Sequence, residues 1–515
     1  MATKKRGTRG AQKKVPEKRR RTPKSSPTAG IHVRMYRQGL GDCFLISLPK
    51  KDGGDFHIMI DCGVILGTTN AEGMMQDVVQ NIIAATGGRV DILVATHEHW
   101  DHLSGFVQAK NLFAVAGKGS EDNRLRIGQV WFAWSEDPNN ALARSLREER
   151  AQKLNGLRAA AEKMRSLARE LGETSSPIAN AVEEVLSFFG AAKGPTTGDA
   201  LNALRGFSES KPRYCRPADK PWTSDNLPGI RIYVLGPPED ETLIRKTSSS
   251  TELYQEGSSL ALAEAFFAVA SSSSGDGKKG QEIRDLYYPF DSSYRIVLGD
   301  LKERAGSLAV EDIQNQTVQF FNRYYWGKDP DSLYSDQRWR LIDLDWLNAS
   351  SEFALQLDNA TNNTSLVLAI EMVDSDKVLL FVADAQVGNW LSWQNLSWKL
   401  DGDTIVTGPD LLKRTVLYKV GHHGSHNATL KARGLELMES DQLVAFIPVN
   451  HEMAVKKHWG KMPLPALVKA LQDRTKGRVL RIDQEFEPSE VDESVRSDFQ
   501  KRVTADKLYF EYVVE

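Results

Sequence analysis

The richest chemistry in this sequence lies in one short loop, which follows directly after an apolar strand predicted for residues 90–95. Histidines and an acid recur there with the spacing HxHxDH, as His97, His99, Asp101 and His102. Imidazole and carboxylate groups bind zinc, and they also bind manganese or iron. Two of the imidazoles can point at one cation while the Asp-His pair turns toward another. The loop therefore predicts a metal site with one or two ions.

More histidines and acids follow β-rich segments in the C-terminal third of the chain. Asp384 ends one such segment, and the pair His422-His423 ends the next. Polar groups at strand ends indicate an α/β fold whose site lies on loops at one edge of the sheet. His426 lies a turn beyond the pair, where it is either a proton donor or phosphate contact, or a surface histidine. We expect these loops to meet the HxHxDH loop.

Composition along the chain divides it into three parts. Residues 1–30 are basic and rich in Pro, Ser and Gly, which is typical of a disordered tail. Residues 31–105 and 230–515 carry the strand patterns and are predicted to form one α/β domain. Residues 106–229 are predicted to form an insertion with a helical hydrophobic stripe. The insertion carries no metal-type cluster, so we expect it to govern access or assembly, with an exposed face near Arg144–Arg150.

Composition and charge exclude several classes of protein. The 515 residues are 41% hydrophobic and 26% charged, and no apolar run is long enough to cross a bilayer. Three cysteines cannot form a disulfide framework. We therefore expect a cytoplasmic protein with no membrane partner. The net charge is −2, but residues 1–24 hold eleven lysines and arginines against Glu17 alone. This tail either contacts nucleic acid or an acidic partner, or only aids solubility.

The HEHWDH loop resembles the signature of the metallo-β-lactamase superfamily, whose fold is an αββα sandwich around a one- or two-metal hydrolytic site. More narrowly, the chain is similar to the hydrolase domain of ComEC-type DNA-uptake competence proteins and their stand-alone relatives. The segments that carry this likeness, in the family's order, are RQGLGD at 37–42, MIDCG at 59–63, YVLGPP at 233–238, NNTSLVL at 362–368, LLFVAD at 379–384 and KVGHHGS at 419–425. The resemblance implies the same sandwich here, with a long, partly helical insertion.

The resemblance also assigns roles within the predicted site. The implied metal ligands are His97, His99, Asp101, His102, Asp384 and one of His422 and His423. Within this set Asp384 would bridge the two ions, and Asp101 would also take part in catalysis. Asp61 is expected to orient a ligand histidine, as metal-bound imidazoles usually require. His458, and less well His451, match a family position that lines the substrate cleft.

The chain departs from the superfamily pattern in two places. Many members supply another histidine to the first metal, but no histidine occurs here between His102 and His422. Asn363, Asp358 or a water could fill that corner, so the number of ions stays open. In addition, Ala383 replaces the glycine that usually precedes the bridging aspartate.

The expected activity is metal-dependent hydrolysis by a metal-activated hydroxide. A phosphodiesterase, and in particular a nuclease, fits the competence-protein resemblance. The alternatives are a small-molecule esterase or lactonase on the same fold, or a metal-stabilised interaction module without activity. Zinc is the expected cofactor, as one or two ions, and manganese would also fit. The expected partners are nucleic acid, through the basic tail, and a protein, through the helical insertion.

Overall fold

The fold was analysed in a computed structural model of the chain. The structure describes residues 30–117, 123–170, 177–190, 194–217, 219–249, 251–253, 316, 319–320, 357–400, 402, 404–457, 459 and 462–515. The predicted basic tail, except for Gly30, lies outside the described residues, and so does His458.

Short strands alternate with helices along the described chain. The strands are β1 (Ile31–Tyr36), β2 (Phe44–Pro49), β3 (Asp55–Ile60), β4 (Arg89–Ala95), β5 (Arg126–Ala133), β6 (Arg213–Cys215), β7 (Ile230–Gly236), β8 (Val367–Met372), β9 (Lys377–Phe381), β10 (Ser397–Lys399), β11 (Ile405–Thr407), β12 (Thr415–Lys419), β13 (Val444–Ile447), β14 (Val479–Arg481), β15 (Val503–Ala505) and β16 (Tyr509–Val514). Burial alternates along β1, the period expected when one face of a strand is more deeply covered than the other.

The helices vary widely in length. They are α1 (Ala71–Thr86), α2 (Trp100–Leu103), α3 (Gly105–Gln108), α4 (Ala141–Glu170), α5 (Pro177–Leu186), α6 (Thr197–Phe207), α7 (Glu241–Ile244), α8 (Val387–Ser392), α9 (Gly408–Lys413), α10 (His451–Lys456), α11 (Pro465–Thr475) and α12 (Glu493–Arg502). Within the described part of the chain, no helix combines the length and the apolarity that a membrane crossing requires.

Two large sheets organise these strands. The first sheet has the order β15-β16-β1-β2-β3-β4-β5-β6, and the second has the order β14-β13-β12-β9-β8-β7. In the first sheet, β3, β4, β5 and β6 are parallel neighbours. In the second sheet, β9, β12, β13 and β14 are parallel neighbours. A separate antiparallel pair, β10 and β11, completes the strand pairing that the structure describes.

Apolar residues of both sheets share one cluster. Ile92 and Val94 of β4 belong to it, together with Ile370 of β8 and Phe446 of β13. The intervening residue Leu93 points away from this cluster and packs in another, with α1 and α6. A third cluster joins the second sheet to α8, α9 and α11. The predicted mixed α/β fold is therefore confirmed.

The parallel pairing places the predicted site residues at strand ends. β3 and β4 run side by side in one direction, and so do β9 and β12. Carboxyl ends of parallel neighbours lie at the same edge of a sheet. Within three residues of the ends of these four strands lie Asp61, His97, Asp384 and His422. The topology thus explains how loops distant in sequence reach one place.

The segment 106–229, predicted as an insertion, is only partly one. β5 and β6 both lie within it and extend the first sheet beyond β4. The helices α4, α5 and α6 lie between these two strands in the chain. The boundary after residue 105 is therefore too early, because residues 126–133 form a buried strand parallel to β4. Below, the helical insertion means residues 141–207.

Candidate metal centre

Side chains from several loops converge on one carboxylate, that of Asp384. Its Oδ2 atom lies 3.1 Å from His102 Nε2 and 3.6 Å from His423 Nε2. The same oxygen lies 3.9 Å from Nε2 of His97 and of His422. All of these side chains are buried, and His422 is the most exposed among them at 7%. The structure thus brings together metal-type residues from distant parts of the chain.

Two sets of ligand atoms share this carboxylate. The first ligand group is His97, His99 and Asp384, and the second ligand group is Asp42, His102, Asp384 and His423. Within each group the ligand atoms lie within 4.8 Å of one another. Asp101 adjoins the second ligand group, because its Oδ2 lies 3.0 Å from His423 Nε2. Spacing in the HxHxDH loop predicted this division into two groups.

Glycines let the first-sheet loops approach the HxHxDH loop closely. A Cβ atom on Gly63 would lie 2.3 Å from the Asp101 carbonyl, and one on Gly41 would lie 2.5 Å from it. No other residue fits at such distances without moving the backbone. The close approach allows the Asp42 amide to donate a hydrogen bond to the Asp101 carbonyl at 3.0 Å. These glycines therefore belong to the scaffold of the centre.

Neighbouring polar groups hold the outer nitrogens of His97 and His102. Asp61 Oδ2 lies 2.8 Å from His102 Nδ1, and the same carboxylate accepts the Thr96 hydroxyl at 2.7 Å. That hydroxyl in turn lies 3.1 Å from His97 Nδ1. An imidazole whose Nδ1 is engaged in this way presents Nε2 to the inside of the centre. Asp61 thus lies where an orienting carboxylate was expected.

The consecutive histidines after β12 are turned inward by an unusual backbone. His422 and His423 have positive φ angles of 38° and 52°, which residues other than glycine rarely adopt. His423 Nδ1 lies 2.7 Å from the Pro448 carbonyl, and His422 Nδ1 lies 2.9 Å from the Ser425 hydroxyl. His423 is in the second ligand group, whereas His422 is in neither. The geometry therefore favours His423 as the ligand that the sequence left undecided.

His99 is oriented the opposite way to the other imidazoles. Its Nδ1 lies 3.0 Å from His97 Nε2, whereas its Nε2 faces Asp358 Oδ1 at 3.6 Å. These two facing atoms are buried, and neither has a hydrogen-bond partner in the part of the chain that the structure describes. Asp358 therefore lies on the outer nitrogen of His99, beside the first ligand group.

Aromatic rings of the helical insertion cover this same histidine. The rings of Phe188 and Phe189, in the turn after α5, lie 5.1 Å and 5.0 Å from the His99 ring. Phe188 also stacks on Trp459, with ring centres 5.0 Å apart. The insertion was predicted to govern access or assembly and to have no metal-type cluster, and neither ligand group includes one of its residues. It does pack directly on a predicted ligand, because the turn after α5 reaches back to the HxHxDH loop.

A buried ion pair ties the HxHxDH loop to the helical insertion as well. Glu98, which lies between the first two histidines, pairs with Arg150 of α4. Its other oxygen accepts the Thr197 hydroxyl of α6 at 2.9 Å. Arg150 also lies 3.3 Å from Glu136. The face near Arg144–Arg150 was expected to be exposed, but Arg150 is only 9% exposed because it reaches into the loop.

The buried charges at the centre are strongly negative. The carboxylates in or beside the two ligand groups are Asp42, Asp61, Asp101, Asp358 and Asp384, each at most 5% exposed. Lys419 is a buried cation that pairs with Asp42 and Asp384. If the imidazoles are neutral and all five carboxylates are ionised, four negative charges stay uncompensated, and burial accordingly raises the pKa of Asp61 and of Asp358. Both Asp384 oxygens also lack a hydrogen-bond partner among the described residues. Since buried unpaired charge is costly, these donors and this charge fit two divalent cations.

The imidazoles differ in their affinity for protons. Burial lowers the pKa of His99 to about 3 and that of His422 to about 4. Burial acts in the same direction on His102 and His423, but the surrounding carboxylates, Asp384 foremost, raise the pKa of both above the usual range. Protons on these two imidazoles would offset part of the negative charge in a metal-free protein. A bound cation would displace them.

The remaining predicted residues lie outside both ligand groups. The Asn363 side chain binds backbone groups, and its Oδ1 accepts the Gln386 amide at 3.2 Å. It therefore supports the chain next to Asp384 and does not fill the place of the absent histidine. His426 and His451 are exposed. His458 lies outside the described residues, so its predicted role stays a prediction.

Sequence reasoning assigned no role to Asp42 or Lys419, although both lie inside segments that carry the family resemblance. The structure places Lys419 Nζ 2.5 Å from Asp42 Oδ2. A single acid in a turn and a single lysine in a strand have no spacing that indicates a metal site. Their position next to Asp384 could be found only from the fold.

The N-terminal part of the chain matches a known family. Residues 36–154 match the family model described as the Metallo-beta-lactamase superfamily. Members of this superfamily are generally metal-binding hydrolases, and the matched range includes the whole HxHxDH loop. No curated protein and no solved structure matches the chain. Residues 36–154 are therefore similar to a metallo-β-lactamase superfamily domain, and the narrower likeness to competence proteins stays a prediction.

Proposed function

We propose that this protein is a two-metal phosphodiesterase, and that its substrate is a nucleic acid. The observation that carries the proposal is the shared carboxylate: Asp384 Oδ2 faces imidazoles of both ligand groups at 3.1 to 3.9 Å. One oxygen that is common to two ligand sets is the arrangement required to hold two cations close together. The surplus of buried negative charge supports the same number of ions.

The residues around the centre would prepare it for hydrolysis. Two divalent ions would lower the pKa of a coordinated water and polarise the phosphoryl oxygens of the substrate. Asp61 and the Pro448 carbonyl hold His102 and His423 so that each presents Nε2 inward. Asp101 would complete the second position. His426, which is exposed one turn beyond His423, would contact the phosphate or donate a proton to the leaving group.

Zinc and manganese both suit this donor set. Nitrogen and carboxylate oxygen donors bind zinc readily, and a site rich in carboxylates also accepts manganese. We propose that the second position binds its ion more tightly, because it has more protein donors. The αββα arrangement of the two sheets around the centre is part of the same proposal, since it would leave the metals at the sheet edges where the loops meet.

A small-molecule esterase or lactonase is the second candidate function. It is favoured by the aromatic pair Phe188 and Trp459, which forms an apolar surface beside His99. Such a surface suits an apolar group next to the scissile bond. A metal-stabilised interaction module is the least favoured candidate, because a module without activity needs no shared carboxylate between two ligand groups.

The biological setting is also proposed. The sequence motifs resemble those of a DNA-uptake hydrolase domain, and the tail at 1–24 is strongly basic. We therefore propose that the tail binds nucleic acid through its phosphates, in a salt-dependent manner. The helical insertion would serve a protein partner with the surface that faces away from His99. A cytoplasmic location is consistent with these partners.

Hydrolysis of chromogenic substrates tests the proposal most directly. The protein, depleted of metal and then loaded with Mn²⁺ or Zn²⁺, would be assayed on bis(p-nitrophenyl) phosphate, p-nitrophenyl acetate and a lactone. Single- and double-stranded DNA and RNA oligonucleotides would be tested in parallel. We expect metal-dependent cleavage of the phosphodiester and of at least one nucleic acid. Metal-dependent opening of esters or lactones without any phosphodiester cleavage would replace the nuclease proposal with the second candidate.

A further inference from the structure

A buried lysine lies between two carboxylates of the candidate metal centre. Lys419 ends β12, and its side chain is 1% exposed. Its Nζ atom lies 2.5 Å from Asp42 Oδ2 and 3.5 Å from Asp384 Oδ1. It also donates a hydrogen bond to the Ala383 carbonyl at 2.7 Å. The ammonium group is thus held by Asp42 and the Ala383 carbonyl in a buried position, with Asp384 Oδ1 at ion-pair distance.

The two oxygens of Asp384 have different neighbours, and Lys419 accounts for the difference. Oδ1 faces the Lys419 ammonium, whereas the nearest approaches of His97, His102, His422 and His423 are all to Oδ2. A carboxylate on a mobile side chain can rotate and offer either oxygen, or one oxygen to each ion. Charge attraction at Oδ1, together with the fixed Ala383 carbonyl, opposes that rotation. Only Oδ2 then stays available to both ligand groups.

The lysine also decides the role of Asp42. By distance alone Asp42 belongs to the second ligand group, within 4.8 Å of the other ligand atoms. However, its Oδ2 contacts the Lys419 ammonium and lies 3.8 Å from His102 Nδ1, and its Oδ1 lies 3.6 Å from His423 Nδ1, so both oxygens face the outer nitrogens of these imidazoles. A divalent ion on Oδ2 would also be repelled by the neighbouring ammonium in a buried environment, where electrostatic interactions are strong. Asp42 is therefore a partner of the lysine, and Asp101 is the better acidic donor for the second ion.

We propose that Lys419 is a positioning residue that acts as a built-in third cation of the centre. Its ammonium keeps Asp42 out of the ligand set and fixes Asp384 so that only Oδ2 faces both ligand groups, where two bound metal ions would share it. This inference rests on the two-ion centre of the proposed function, but not on the substrate. The simpler possibility is that Lys419 only neutralises Asp42, with no effect on the bridge.

Paired substitutions separate these two roles. Lys419→Met alone leaves the Asp42 carboxylate buried without a partner, so that variant can fail to fold. The double variant Lys419→Met/Asp42→Asn removes both charges together and should stay folded, as checked by circular dichroism and thermal melting. Lys413→Met is the matched control, because Lys413 is an exposed lysine paired with Glu439 at 3.1 Å. Each protein would be loaded with Mn²⁺, and its metal content, Mn²⁺ affinity and electron paramagnetic resonance spectrum would be measured.

The spectrum reports the bridge without any substrate. Two Mn²⁺ ions that share one carboxylate oxygen are magnetically coupled, and their spectrum differs from that of isolated ions. We expect coupling in the parent and in Lys413→Met. In the folded double variant we expect the coupled signal to be replaced by that of isolated ions, and the Kd of one ion to rise by about tenfold to a hundredfold, as when other outer partners of metal ligands are removed.

The opposite results would overturn the inference. A folded double variant with the coupling and both affinities of the parent would show that Lys419 only neutralises Asp42. A parent protein that never forms a coupled pair would remove the bridge itself. A parent that forms the coupled pair but cleaves no phosphodiester would refute the proposed substrate and leave the role of Lys419 standing.

Discussion

The two ligand groups share Asp384 but are supported in different ways. The second ligand group is held by polar contacts from the sheet loops, such as Asp61 on His102 and the Pro448 carbonyl on His423. The first ligand group is covered by the helical insertion, through aromatic rings on His99. The second ligand group is thus supported by loops at the edges of the sheets, whereas the first also depends on the helical insertion between β5 and β6.

This difference in support bears on the histidine that many superfamily members supply to the first metal and that this chain lacks. The second ligand group includes Asp42 and has Asp101 beside it, whereas the first has only Asp358 beside it, facing the outer nitrogen of His99. Fewer protein donors predict weaker binding of the first ion. Rigid packing of His99 by the insertion would partly offset this, because a fixed imidazole loses less conformational entropy when it binds a metal. The two ions should therefore differ in affinity and in their dependence on the insertion.

The largest expected effect comes from the residue that the two groups share. Asp384→Asn keeps the size of the side chain but removes the charge that both positions use, so both ions should bind more weakly. We expect turnover of bis(p-nitrophenyl) phosphate to fall by orders of magnitude, since the nucleophile depends on the ions. Metal content and turnover would be measured together. Asp473→Asn, at an exposed acid that pairs with Lys469, is the control. An Asp384→Asn protein as active as the parent would refute the bridging role.

A change in the second ligand group should remove one ion only. Asp101 lies beside His423 and has no contact with the insertion in the bonds that the structure describes. We expect Asp101→Ala to retain about one equivalent of Mn²⁺ where the parent retains two, because the first ligand group keeps all of its donors. Metal analysis after gel filtration checks this. Loss of both ions from a folded protein would show that the two positions are not separable.

A change in the helical insertion should act on the other ion. Arg150→Met breaks the ion pair with Glu98 and frees the HxHxDH loop on the side of His97 and His99. We expect the Kd of the more weakly bound ion to rise by about tenfold, with little change for the tighter one, as when an outer partner of a ligand is lost. Metal titration measures both.

The matched control for that variant is Arg245→Met. Arg245 pairs with Glu149 of the same helix, α4, but at an exposed position away from the loop. It should leave both affinities unchanged. Equal weakening of the two ions in Arg150→Met would mean that the insertion supports the whole centre and not one side of it.

The centre should also make the stability of the metal-free protein depend on pH. The pKa values of His102 and His423 are raised above their usual value of about 6.5 by the carboxylates around them, against the effect of burial. Their protonated forms therefore stabilise the fold at and below that pH, and this stabilisation is lost as the pH rises through the raised pKa values. We expect the Tm of chelator-treated protein to fall from pH 6.5 upward. With metal bound, the same pH range should change Tm little, and a metal-free Tm that rises over this range would contradict the assignment.

The local part of this site could be predicted from the sequence because its spacing is local. His97, His99 and His102 lie within seven positions of the end of one strand, so the local turn determines where they point. Asp384 could be predicted because a lone acid after a buried strand falls at the edge where parallel strands end. The choice between His422 and His423 could not, since it depends on two positive φ angles and on the Pro448 carbonyl.

Contacts between distant segments could not be predicted from the sequence. The approach of Phe188 to His99 and of Arg150 to Glu98 depends on how the helices return to the sheet, which hydrophobic periodicity does not encode. The strand at 126–133 was assigned to the insertion because helical segments surround it, yet pairing with β4 places it in the first sheet. In both cases tertiary packing determined the structure, and the local sequence pattern alone predicted it incorrectly.

The smallest expected effect concerns the alanine that stands where the family usually has glycine. Ala383 has a φ of 47°, a left-handed conformation that costs a residue with a Cβ atom about 1 kcal/mol. Its carbonyl accepts hydrogen bonds from Lys419 Nζ and from the His422 amide, so the conformation is held by the centre itself. Ala383→Gly keeps that carbonyl and relieves the strain, and we expect a gain in the free energy of unfolding of up to about 1 kcal/mol, reduced by the greater freedom of glycine in the unfolded chain. Both ion affinities should stay at the parent values, because no donor moves. Denaturant unfolding with and without metal measures the gain. A loss of stability would mean that the methyl group of Ala383 contributes more by packing than its backbone costs.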